Sequence, residues 1–132
     1  MSTARLTEIL KQLIGNGFKA GIFALKDGLP IASQNNKNVN DKMVAAMAAM
    51  LADTAERAKA DLDLSNMESI KIVYEDACIL CRNINVAEGG NSYLLAVLVD
   101  KPDSDEVEKY HAQLMDWAVD NGRPILQKLS AL

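Results

Sequence analysis

The spacing most suggestive of chemistry in this 132-residue chain is Cys78-Ile-Leu-Cys81, because paired thiolates bind zinc or exchange disulfides. Both chemistries need the two sulfurs to converge, at a turn or a helix start. Residues 77–84 read instead as a strand, where positions three apart point to opposite faces. There is no second cysteine pair, and the one histidine, His111, falls in the middle of a helical pattern. The cysteines therefore read as small buried hydrophobes. No nucleophile accompanies His111, and no serine occupies a strand-to-helix elbow, so no triad is indicated. Asp103, Asp105, Glu106 and Glu108 crowd together, but they fit the first turn of a helix, where the dipole favours negative charge. The glycines at 15, 17 and 21 follow a helix and precede a strand, the reverse of a dinucleotide-binding loop. The reading is a non-catalytic chain with no cofactor and no metal.

The totals narrow the class further. A net charge of −4 without a basic block removes the phosphate attraction on which nucleic-acid binding depends. With 49% hydrophobic and 24% charged residues, the composition fits a globular domain rather than a disordered or membrane-embedded chain. Residues 43–52 form the longest wholly apolar run, about half of what a bilayer-spanning helix needs. Arg5, Glu8 and Lys11 interrupt any export signal at the N-terminus. These features predict one domain over 1–132, a cytoplasmic location with reduced thiols, and no membrane insertion.

The elements follow from periodicity. Leu6, Ile9, Leu10, Leu13 and Ile14 predict an amphipathic helix, capped by Ser2 or Thr3 and ended by Gly15 or Gly17. Residues 20–25 and 92–99 are apolar on successive positions and predict strands buried on both faces. Lys26-Asp27-Gly28 predicts a turn into a return strand over 29–33, and Pro30 places that strand at a sheet edge. Residues 69–75 alternate and 77–84 return; a loop containing Glu88-Gly89-Gly90 leads into the last strand. Leu62 and Leu64 are expected to pin the loop after the central helix. A final helix is predicted from Asp103, with Glu106 in a capping box, burying Val107, Tyr110, Leu114, Trp117 and Ala118. Asn121, Gly122 and Pro124 predict a break or kink before its last turn.

The central helix, over 41–59, organises the rest. Asn38 is expected to cap it, with the helix starting near Asn40. Met43, Val44, Met47, Met50 and Leu51, with Thr54 and Ala58, form one broad face that predicts a core contact. Ala45, Ala48, Ala49 and Ala52 leave the other side apolar as well, which calls for a second cover, most simply another copy; exposed helix-forming alanines are the alternative. The fold expected is α+β, an α/β/α sandwich. Its five-stranded antiparallel sheet has order 2-1-5-4-3, with the central helix on one face and the terminal helices on the other.

Residues 21–33, Gly-Ile-Phe-Ala-Leu-Lys-Asp-Gly-Leu-Pro-Ile-Ala-Ser, resemble the hairpin of the Roadblock family, the dynein light chains and their relatives that bind and regulate small GTPases. The alanine- and methionine-rich central helix and residues 91–99, Asn-Ser-Tyr-Leu-Leu-Ala-Val-Leu-Val, extend the resemblance over about 6–129. It implies pairing through the central helix and the strand at 69–75, as a homodimer or with a related Roadblock-like chain. The interface residues implied are Met43, Ala46, Met47, Met50, Asp53, Thr54, Arg57, Ile70, Lys71 and Ile72. Asp53 and Arg57 either meet their counterparts across the axis or pair within one helix. A partner platform at Ala45, Ala49, Ala52 and Glu56 is implied too. Three functions stay open: a regulator of a small Ras-like GTPase, a passive light chain or scaffold subunit that leaves GTP turnover unchanged, and a small-molecule sensor. The large aliphatic side chains argue for a filled core over the sensor. Arg5, Arg57, Arg82 and Arg123 are the arginines available to act on a GTPase, each more naturally a surface charge.

Overall fold

A computed structural model of the chain describes residues 2–36, 38–86 and 91–131. The expected loop at Glu88-Gly89-Gly90 lies outside the described residues. Helix α1 (Ser2–Gly15) leads into strands β1 (Ala20–Leu25) and β2 (Pro30–Asn35). Helix α2 (Asp41–Leu62) follows, then β3 (Ser69–Val73), β4 (Ala77–Asn85), β5 (Ser92–Asp100) and helix α3 (Asp105–Ser130). The strands form one antiparallel sheet in the order β2-β1-β5-β4-β3. The α+β architecture and the strand order are those expected.

The doubly apolar strands β1 and β5 lie side by side inside the sheet, with Phe23 opposite Leu95. One face packs Phe23, Leu95, Val97 and Ile84 against Leu6, Leu10 and Leu13 of α1 and Met115, Ala118 and Leu126 of α3. The other packs Ile22, Ala24, Leu94, Ala96 and Ile79 against α2. Pro30 opens β2, an edge strand, where its missing N–H breaks no inner ladder. At the hairpin tip Gly28 sits at φ +92° and Asp27 Oδ1 accepts from the Leu29 N–H at 3.0 Å.

The structure corrects the expected orientation of α2. Its buried residues are Val44, Ala45, Ala48, Ala49 and Ala52, while Met43, Met50 and Leu51 are exposed and Met47 is half-buried. Both sides of the helix are apolar, so periodicity alone does not choose between them; size does. Small residues let the helix lie close to the sheet and the hairpin, where a Cβ on Gly28 would come within 3.0 Å of the Ala49 Cβ. Met43 and Met50 are too large for that gap and face outward, while Met47 flanks it.

The helix ends differ from expectation as well. Asn40, not Asn38, caps α2, its side chain accepting from the Met43 N–H at 3.1 Å, and Asn38 sits instead at φ 63°. Leu62 and Leu64 stay exposed; Lys59 Nζ, bonded to Asn66 Oδ1 at 2.6 Å, ties the following loop. Ser104 caps α3 by accepting from the Val107 N–H at 3.2 Å. That helix runs unbroken through Pro124. Pro124 and Asp120 are exposed, so the carbonyl left without a donor can be hydrated. The helix buries Ala118 as expected, but Tyr110 and Trp117 remain 45% and 38% exposed, and Met115, Val119, Gly122, Ile125 and Leu126 fill the core.

Candidate interaction surface

Among the described residues, the two cysteines of the Cys-x-x-Cys spacing do not converge. Cys78 and Cys81 are both free and buried, one on each face of the sheet. Burial pushes the Cys81 thiol up to about 12, far from the thiolate that redox or metal chemistry requires. Among the described residues, no group of three or more His, Cys, Asp or Glu side chains could hold a metal ion. No helix among them is long and apolar enough to cross a membrane.

His111 packs edge-on against Phe18, ring centroids 5.3 Å apart, with Nδ1 buried and unpartnered. Desolvation lowers its pKa, against the opposing pull of Asp100 and Glu108. The folded chain therefore holds fewer protons on this ring than the unfolded chain. The contribution is complete above the unfolded value of 6.5 and is lost as pH falls from there through the lower folded value. Thermal unfolding from pH 7.5 to 5.5 should show wild type losing stability on acidification more steeply than His111→Phe; parallel profiles would assign the slope elsewhere.

The outward side of α2 lies beside the sheet edge. Met50 is 71% exposed and Met43 55%, and Ala46, Asp53, Thr54 and Arg57 share their side of the helix. Thr54 Oγ1 donates to the Met50 carbonyl at 3.1 Å, which turns the hydroxyl back to the helix. Arg57 pairs with Asp53 at 2.8 Å within the helix, an exposed ion pair of small energetic weight. Met47, Ile70 and Ile72 all flank the same apolar cluster between α2 and the sheet, so helix and edge strand offer one connected surface. Among the described residues, strand β3 pairs on one side alone, with β4. Lys71 points to the opposite face, where its Nζ reaches Glu108 Oε2 of α3 at 3.1 Å. The exposed Val73 and Tyr74 prolong the apolar edge, and sequence alternation alone does not indicate that both are open.

The expected partner platform is corrected. Ala45, Ala49 and Ala52 are 1%, 7% and 7% exposed because α2 lays them on the sheet, and of that set Glu56 alone is exposed. Ala49, Ala52 and Glu56 instead border a groove of about 730 Å³ between α2, the hairpin tip and the ends of β4 and β5, together with Asp27, Met67 and Asn85. Three of the four arginines pair with neighbouring carboxylates: Arg57 as above, Arg82 with Asp116 at 2.6 Å and Arg123 with Asp120 at 3.9 Å. Arg5 is exposed on α1.

Comparison with known proteins places this geometry. No family model matches the chain. The Roadblock/LC7 domain from Streptomyces avermitilis superposes with a TM-score of 0.72 at 18% identity, covering 91% of this chain and 96% of that one. The gliding protein MglB from Thermus thermophilus gives 0.71 at 12% identity, covering 93% and 91%. These likenesses establish the Roadblock fold and support the resemblance read from the hairpin. In sequence, the uncharacterized protein MJ0714 of Methanocaldococcus jannaschii is 36% identical over 85 residues, 64% of this chain and 67% of that protein. The chain belongs to the same family as MJ0714 and has the Roadblock/LC7 fold.

Proposed function

We propose that residues 1–132 form a single Roadblock-like domain that acts in the cytoplasm as a non-catalytic, self-pairing interaction module, binding and regulating a small Ras-like GTPase. The observation that carries this reading is the exposed apolar side of α2, centred on Met43, Met47 and Met50, running into the one-sided strand β3. An unpaired strand edge invites another strand, and exposed methionines beside it supply apolar area to withdraw from water. The MJ0714 relationship names no activity; the fold and the hairpin resemblance supply the GTPase class. Regulation in this reading works by holding the GTPase's switch loops in one arrangement. The carboxylate partners of Arg57, Arg82 and Arg123 favour that over an inserted arginine.

The test is to titrate the protein against each small Ras-like GTPase of its source, following both complex formation and GTP turnover. A GTPase that binds and whose turnover changes supports the reading. Binding without any change in turnover replaces it with a passive light-chain or scaffold role. Failure of every such GTPase to bind removes this partner class.

A further inference from the structure

On the sheet face away from α2, a cavity of about 200 Å³ separates α3 from the outer strands β3 and β4. Cys78, Leu80, Val99 and Met115 make its interior apolar. His111 borders it as a neutral ring at pH 7.5, since desolvation lowers its pKa from 6.5. Ala112 is the exposed helix residue at its mouth, too small to close it. Two ion pairs bracket that mouth. Glu108 and Asp116 stand four residues before and after Ala112 on α3, and Lys71 of β3 meets the first at 3.1 Å while Arg82 of β4 meets the second at 2.6 Å. The cations lie deeper than the anions: the side chains of Lys71 and Arg82 are 44% and 27% exposed, those of Glu108 and Asp116 59% and 64%. Lys71 faces Leu80 and Ser69 faces Arg82, so the two cations are diagonal neighbours, about 7–8 Å apart at the backbone and close enough for long side chains to share one acceptor.

We propose that this cavity binds a small amphiphilic carboxylate, its apolar tail among Cys78, Leu80, Val99 and Met115 and its headgroup shared by Lys71 and Arg82. Size sets the tail: an apolar cavity of about 150 Å³ accommodates benzene, so about 200 Å³ takes a chain or ring of about six to eight carbons. Charge sets the headgroup. Exposed ion pairs are weak, so an incoming carboxylate displaces Glu108 and Asp116 toward water at little cost and takes their place on the deeper cations. A cationic headgroup would meet Lys71 and Arg82 first and be repelled. An uncharged one would gain nothing from either. The site needs neither the self-pairing nor the GTPase proposed above, and its test stands apart from theirs.

Calorimetric titration of the full chain with butanoate, hexanoate and octanoate at pH 7.5 and low salt is the test. Octanoate should bind once per chain, with affinity rising about fourfold for each methylene along the series. 1-Octanol, which has the same tail, should bind about tenfold more weakly. Ala112→Phe closes the mouth from an exposed helix position and should abolish octanoate binding while circular dichroism stays unchanged. Lys71→Gln combined with Arg82→Gln, both at the surface, should weaken octanoate about tenfold and leave 1-octanol as it was. That pair of changes decides the matter if Ala112→Phe fails to fold. Absence of saturable octanoate binding at millimolar ligand, or an affinity indifferent to chain length, would overturn the proposal. Octanol binding as tightly as octanoate, or a glutamine double variant that holds octanoate like wild type, would overturn the role of the two cations. A folded Ala112→Phe chain that binds octanoate unchanged would overturn the cavity as the site.

Discussion

Changing Met47 and Met50 together to Glu is expected to disperse the protein into folded monomers. Each methionine withdrawn from water at an interface contributes roughly 1.5–3 kcal/mol, and a two-fold dimer buries each of them twice. Counting only the surface that each still exposes in the monomer, losing four such side chains costs about 3–6 kcal/mol, a weakening of association by about two to four orders of magnitude, before any repulsion among the new carboxylates. The monomer should survive, because Met50 is 71% exposed and Met47 half-buried, while the contact with the sheet is made by Val44, Ala45, Ala48, Ala49 and Ala52. Circular dichroism should therefore change little while the sedimentation coefficient falls. A double variant that associates as strongly as wild type would place the interface elsewhere.

The largest effect expected on stability is at Gly122. A Cβ there would lie 2.9 Å from both Cε1 and Cζ of Phe23, a ring with no exposed surface and core neighbours on every side. Glycine inside a helix ordinarily costs about 1 kcal/mol relative to alanine, so propensity alone predicts that Gly122→Ala stabilises. The contact predicts the reverse, since overpacking a filled core costs about 1–3 kcal/mol. Gly122→Ala should be neutral to destabilising, and Gly122→Leu should lose about 3 kcal/mol or more, lowering the midpoint of thermal unfolding by about 10 °C. A rise in that midpoint for Gly122→Ala would mean that Phe23 can move aside.

Close approach of another kind, between α2 and the Gly28 turn, separates what sequence could disclose from what it could not. The sheet order was legible because β1 and β5 are apolar on consecutive residues and Pro30 marks an edge; those patterns have one consistent arrangement. The separation of Cys78 from Cys81 was legible too, since positions three apart on a strand face opposite ways. The facing of α2 was not. Its alanines and methionines are both apolar, and choosing between them requires knowing that the sheet and the Gly28 turn stand close enough to admit nothing larger than Val44 and the alanines. Of the methionines that the family resemblance implies at an interface, Met43 and Met50 are exposed and Met47 is half-buried. The platform at Ala45, Ala49 and Ala52 is buried, for that same reason. Pro124 misled because helix termination is the common outcome for proline; whether the freed carbonyl meets water depends on exposure, which sequence does not give.

Association through α2 and β3 is tested most directly by the mass of the wild-type protein in solution. Sedimentation equilibrium across a concentration series should give twice the 14.4 kDa chain mass at micromolar protein, falling toward 14.4 kDa on dilution. A mass of 14.4 kDa throughout the series would contradict self-pairing and leave the methionine face to a different chain.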